Sequence, residues 1–222
     1  MKVVRQLLAG FLLSSQIVFA ADRAVDTEKN NSFTVSVPTA YMDDPRRVEW
    51  QMPDRLLDYL LIKEGETVVD VGAGTGYFSM LFARKVSRNG TVYALDVDES
   101  MVKLIEKRAR KEGFANVRAA LAPYESPGIA KGLADLVFIC DTYLFFENRV
   151  TYIQRVRETL KKGGRLAIVS FNGNAEIPGA PPRHKMIPKE QAISEIQSAG
   201  FTLEADFLFL PYQDFLLFRM TP

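Results

Sequence analysis

Three glycines at alternate positions, Gly72, Gly74 and Gly76, follow the apolar run Val68, Val69, Asp70, Val71 and precede the amphipathic run that opens with Tyr77 and Phe78. Glycine reaches positive φ without strain and lets a ligand approach the main chain with no Cβ in the way. A buried strand before such a turn and a helix after it are the context that makes a nucleotide-type cofactor site credible, and the pattern implies an adenosine-containing cofactor. A dinucleotide fingerprint needs a third glycine three residues after its second, so that helix and strand can pack closely over a pyrophosphate. Tyr77 occupies that position, so the turn is a poor fit to NAD. A second marker follows at Asp96, at the end of the β-rich run Thr91 to Leu95. A carboxylate at the tip of the second strand can accept hydrogen bonds from both ribose hydroxyls.

The elements that must hold these residues alternate along the chain. Strands are predicted near 67 to 71, 91 to 95, 116 to 120, 135 to 140 and 165 to 171. Helices are predicted near 77 to 88, 99 to 112 and 149 to 161, the last two closing at Gly113 and at the pair Gly163 and Gly164. An earlier helix starts at Pro53, with proline at its first position and Asp54 in its first turn. Such alternation implies a parallel sheet covered by helices on both faces. The end of the chain breaks the pattern: after a helix near 188 to 199, the runs Phe201 to Leu210 and Tyr212 to Met220 meet at Pro211 and must pair antiparallel. Open α/β sheets bind ligands beyond the C-terminal ends of their strands. Asp141, Thr142 and Tyr143 follow the fourth strand there, with Glu147 a little beyond. His184, the only imidazole, lies in a proline-rich loop after the fifth strand, where it could serve as a base over an acceptor. Trp50 and Gln51 could close the other side, Trp50 chiefly as a packing anchor. Cys140 ends an apolar run and reads as a buried, inert thiol. One histidine and one cysteine make no metal-ligand cluster, so no metal is expected.

Asp70, Gly72, Gly74 and Gly76 stand in register with the first motif of the class I S-adenosylmethionine (SAM) methyltransferases, which the chain resembles from about Arg47 to Phe218. The resemblance implies a Rossmann-like, mostly parallel seven-stranded sheet ending in an antiparallel hairpin, SAM as cofactor, and methyl transfer as the reaction. It places Asp70, Gly72, Ala73, Gly74, Thr75 and Gly76 around the cofactor, Asp96 with Val97 at the nucleoside, and Met101 against the adenine. On the acceptor side it leaves Asp141, Tyr143 and His184 as catalytic candidates. The stretches Arg47 to Pro53, Cys140 to Tyr143 and Gly179 to Lys185 look like a group of bacterial methyltransferases that often carry a signal peptide. This chain has Leu144 and Phe145 where that group usually shows two histidines, and Ala119 to Ala122 offer no acid for the adenine amine, which leaves backbone groups or Glu125. The acceptor is either a small molecule or a protein group. A SAM-binding protein without catalysis, and an NAD-dependent oxidoreductase, are the other classes the sequence allows.

The first 20 residues read as a signal peptide: Lys2 and Arg5, then an apolar stretch from Gln6 to Phe19, then Ala20 at the cleavage position. The apolar stretch is shorter than the roughly 18 residues of a membrane span, so no stable anchor is expected after cleavage. A periplasmic or secreted protein follows; a cytoplasmic or signal-anchored one is the alternative. Export sits in tension with a cofactor made in the cytoplasm. Residues 21 to 46 are polar and aperiodic and read as a flexible leader, with order beginning near Trp50 and one domain filling 47 to 222. With 47% hydrophobic and 25% charged residues, and a net charge of +1, the chain is ordinarily globular and gives no electrostatic reason to expect a nucleic-acid partner.

Overall fold

The computed structural model of the protein describes residues 39–174 and 180–221. The expected signal peptide, most of the expected leader, and Gly179 lie outside the described residues. Seven strands form one sheet in the order β3-β2-β1-β4-β5-β7-β6. In chain order they are β1 (Thr67–Val71), β2 (Thr91–Asp96), β3 (Val117–Leu121), β4 (Ala134–Cys140), β5 (Leu160–Phe171), β6 (Phe201–Phe207) and β7 (Gln213–Met220). β1 to β5 pair in parallel, and β7 runs antiparallel to both β5 and β6. Around the sheet lie α1 (Thr39–Met42), α2 (Arg47–Trp50), α3 (Pro53–Leu60), α4 (Tyr77–Lys85), α5 (Glu99–Glu112), α6 (Arg149–Thr159) and α7 (Lys189–Ser198). Among the described residues no helix is long and apolar enough to cross a membrane.

β4 shows why the central strands read as continuous apolar runs, since both faces are covered. Val137 and Ile139 pack with Ile153, Val156 and Ile196 of α6 and α7 on one face, while Leu136 and Phe138 pack with Leu56, Phe78 and Phe82 of α3 and α4 on the other. The Phe138 ring lies 4.9 Å from that of Phe78 and 5.0 Å from that of Phe82. Asp98 caps α5 by accepting from the Ser100 backbone N–H at 2.7 Å, and Gly113 closes it with φ +78°.

Three boundaries depart from expectation. α6 stops at Thr159, and β5 begins at Leu160 instead of near 165. Leu160 pairs with Ala134 and Arg165 with Leu136, so five residues of β5 answer two of β4. Gly163, at φ +80°, therefore serves a wide bulge and not a helix end. The C-terminal hairpin turns over residues 208–212, a longer link than Pro211 alone. Order begins before Trp50: α1 and the chain after it lie within the stretch read as leader.

Candidate functional site

β1 delivers the chain to the glycine turn at its C-terminal end, beside β2 and β4. Gly72, Gly74 and Gly76 have φ of +70°, +55° and +78°. The backbone N–H groups of Gly72 and Ala73 both donate to the Leu95 carbonyl, at 2.8 and 2.9 Å, which ties the turn to the tip of β2. At that tip Asp96 is 9% exposed. One of its carboxylate oxygens accepts from the Gly74 N–H at 2.8 Å and the other from the Asp98 N–H at 3.0 Å. A carboxylate has about four lone-pair directions, so acceptor capacity remains for a ribose hydroxyl. Burial, the larger effect, raises the Asp96 pKa against these two bonds. Val97 stands 45% exposed beside it, and Met101 is half-buried in the first turn of α5. These residues fit the nucleoside end of SAM.

Asp70 is buried below the turn and accepts from the Ser79 hydroxyl at 2.6 Å. Burial pushes its pKa up to about 7, with the Ser79 bond opposing and the nearby Asp96 reinforcing the rise. Thr75 is buried too, and its hydroxyl is taken up by Asp43 at 3.0 Å, so this side chain holds the N-terminal segment in place. Asp43 is bound by Arg108 of α5 as well, at 2.8 Å. The Met42 sulfur lies 3.0 Å from where a Cβ on Gly74 would stand. Residues 42 and 43 therefore touch the glycine turn directly, which their place in a polar, aperiodic stretch concealed.

Asp141 sits at the tip of β4 with φ +55°, a left-handed conformation that a non-glycine residue holds only where its surroundings fix it. The Gln213 side-chain amide donates to both of its oxygens, at 2.9 and 2.8 Å. Burial raises its pKa to about 6, against Gln213, Arg47, Cys140 and the Phe171 backbone in decreasing order. Thr142 follows, its hydroxyl donating to the Cys140 carbonyl at 2.9 Å and its side chain lying across Gly72. The Cys140 thiol is half-buried, and burial drives its pKa up. Trp50 is half-buried and packs on Phe171 at 5.9 Å, as an anchor should.

Tyr143, expected on the acceptor side, is turned inward. The short 3-10 turn Tyr143–Phe145 directs its ring into the core, where it is 1% exposed and its hydroxyl donates to Glu195 of α7 at 2.7 Å. Arg149 of α6 grips the same carboxylate with two bonds of 2.7 Å and, ahead of the other contacts, holds its pKa down at about 2. Tyr143 is a clasp between β4 and two helices. Tyr143→Phe should lower stability by about 1 kcal/mol, the worth of one hydrogen bond whose acceptor keeps other partners. Urea melts of the two proteins test this, and an unchanged midpoint would remove the clasp. His184 lies exposed in the 3-10 turn Arg183–Lys185, and Met186 and Arg183 pack towards Gly173 just after β5. Glu125 is exposed.

Two buried residues complete the site. Gln51 and Gln213 are 0% and 2% exposed and join each other by a 3.1 Å bond. Gln213 had no signal beyond being polar in an apolar run. A recess of about 300 Å³ opens at the opposite end of the strands, near Lys63 and Gly164. Arg165 pairs there with Glu66, Arg219 with Glu204 and Asp135 with Lys161, ion pairs that tie strand ends together.

A sheet of this order, with a glycine turn after its first strand and an acid at the tip of its second, is the class I SAM-dependent methyltransferase fold. The chain belongs to the methyltransferase domain family, whose model matches residues 62–204. It is similar to the aklanonic acid methyltransferase DauC of a Streptomyces species, 31% identical over 119 residues that cover 54% of each chain. It is also similar to the ubiquinone/menaquinone biosynthesis C-methyltransferase UbiE of Klebsiella pneumoniae, 33% identical over 116 residues, 50% of this chain and 45% of that one. The chain thus spans about half the length of the curated relatives it matches. Among solved structures, a SAM-dependent methyltransferase from Aquifex aeolicus shares the fold at a TM-score of 0.76 and 24% identity, over 81% of this chain and 95% of that one.

Proposed function

We propose that the protein transfers a methyl group from SAM to a small organic acceptor. The observation that carries this reading is Asp96, held at the tip of β2 by the backbone N–H groups of Gly74 and Asp98, beside the glycine turn. SAM supplies a methyl group already activated on a sulfonium, so the chain's own work is mostly to bind, orient and exclude water. Asp96 takes the ribose hydroxyls, and the glycines admit the rest of the cofactor to the main chain. Asp141, with a pKa near 6, faces the acceptor and can take a proton from a hydroxyl or a protonated amine at neutral pH. Trp50, packed on Phe171, gives that side an apolar face. The names of the relatives, which point to aklanonic acid and to quinone biosynthesis, favour a small organic acceptor over a protein.

Calorimetric titration with S-adenosylhomocysteine tests the reading without knowledge of the acceptor. The wild type should bind, and Asp96→Ala should weaken binding by about 1 to 3 kcal/mol, the value of charge-assisted hydrogen bonds to the ribose. Equal affinity in the two proteins would remove Asp96 from the site, and a wild type that does not bind would overturn the reading.

A further inference from the structure

Arg47, Gln51, Gln213 and Asp141 form one chain of hydrogen bonds that has a direction. Arg47 Nε donates to Gln51 Oε1 at 2.8 Å, Gln51 Nε2 donates to Gln213 Oε1 at 3.1 Å, and Gln213 Nε2 donates to both oxygens of Asp141. A guanidinium only donates and a carboxylate only accepts, so the two ends fix both amides in a single orientation. Arg47, Gln51 and Gln213 are 8%, 0% and 2% exposed, a depth at which unsatisfied polar groups are costly and a satisfied network specifies one arrangement. Arg47 is itself immobilised: it donates to the Met42 carbonyl and its guanidinium lies 4.2 Å over the ring of Tyr77, in the first turn of α4. The chain therefore starts at the helix that the glycine turn opens and ends at the acceptor carboxylate, crossing from the N-terminal segment to β7 and then to β4.

We infer that Arg47, Gln51 and Gln213 are positioning residues for Asp141, passing the guanidinium's polarity through two amides so that the carboxylate is held ionised and in one orientation at the acceptor end of the site. The role of Asp141 towards an acceptor rests on the methyltransferase reading above; the chain of donors does not. The other groups about the carboxylate are the Cys140 thiol, 3.5 Å from it, and the Phe171 backbone, and neither supplies positive charge. Loss of the amide donor should therefore favour the protonated form of Asp141.

Carbon-13 NMR of the full chain, labelled at aspartate carboxyl carbons, reads this directly, with the Asp141 signal assigned by its absence in Asp141→Asn. In Gln213→Leu the Asp141 titration midpoint should rise by about one pH unit or more, a tenfold gain in proton affinity. Gln51→Met has nearly the same length, adds no charge and removes the donor to Gln213. Its midpoint should rise as well, so it decides the matter if Gln213→Leu does not fold. Midpoints within about 0.3 of the wild type in the variants that fold would overturn the inference. A wild type that titrates as expected yet fails to bind S-adenosylhomocysteine would sink the methyltransferase reading and leave the positioning network standing.

Discussion

Asp70→Asn should make the protein more stable at pH 8 by about 4 kcal/mol, with the gain shrinking towards pH 4. Asp70 is 2% exposed, and burial lifts its pKa from 3.8 to about 7. The folded carboxyl thus holds its proton more tightly than the unfolded one, so folding is favoured at low pH. Stability is then lost as pH rises from the unfolded value through the folded value. A rise of about three units at 1.36 kcal/mol each gives the figure. Asparagine keeps an oxygen for the Ser79 hydroxyl and abolishes the titration. Urea melts of both proteins at pH 5 and pH 8 measure the effect, and the same difference at the two pH values would refute it. A buried negative charge beside the glycine turn suits a cofactor that carries an ammonium and a sulfonium, so the variant should also bind SAM more weakly. Residues that cost stability are commonly kept where function needs them.

Gly72→Ala should destabilise the protein by about 2 to 5 kcal/mol and abolish binding of S-adenosylhomocysteine. Two costs add. A side chain at φ +70° is strained by about 1 to 2 kcal/mol, and the new Cβ would stand 2.5 Å from Thr142 Cγ2 and 2.8 Å from Thr142 Cβ, an overlap worth roughly 1 to 3 kcal/mol more. Gly65 provides the control, because it has φ +82° with nothing within 4 Å of the position its Cβ would take. Gly65→Ala should show the backbone cost by itself. Denaturant melts of the two variants separate the terms, and equal losses would mean that Thr142 moves aside freely. Gly74→Ala meets only the flexible end of Met42 and should be milder in packing.

The cofactor half of the site was legible because it is local. Asp70, the three glycines and Asp96 lie on two successive strands and the turn between β1 and α4, and the pairing of β1 with β2 brings them together as their order implies. The alternation of strands and helices was equally plain, since parallel strands buried on both faces leave long apolar runs. What escaped were contacts between residues far apart in the chain. Tyr143 follows the strand tip as an acceptor contact should, but its partner Glu195 is 52 positions away and turns it into the core. Gln51 and Gln213 are separated by 162 positions, and no spacing rule joins them. Gly163 and Gly164 carry the usual mark of a helix end, which was overridden when Leu160 took its place beside Ala134. Met42 and Asp43 were hidden by the polarity of their neighbours, although they pack on the glycine turn.

The order of the strands keeps two kinds of recognition apart. β2, which carries Asp96, lies to one side of β1, while β4 and β7, which carry Asp141 and Gln213, lie to the other. On the proposed reading the donor and the acceptor are thus held from opposite flanks of β1, and the hydrogen-bond chain from Arg47 to Asp141 is what joins the two.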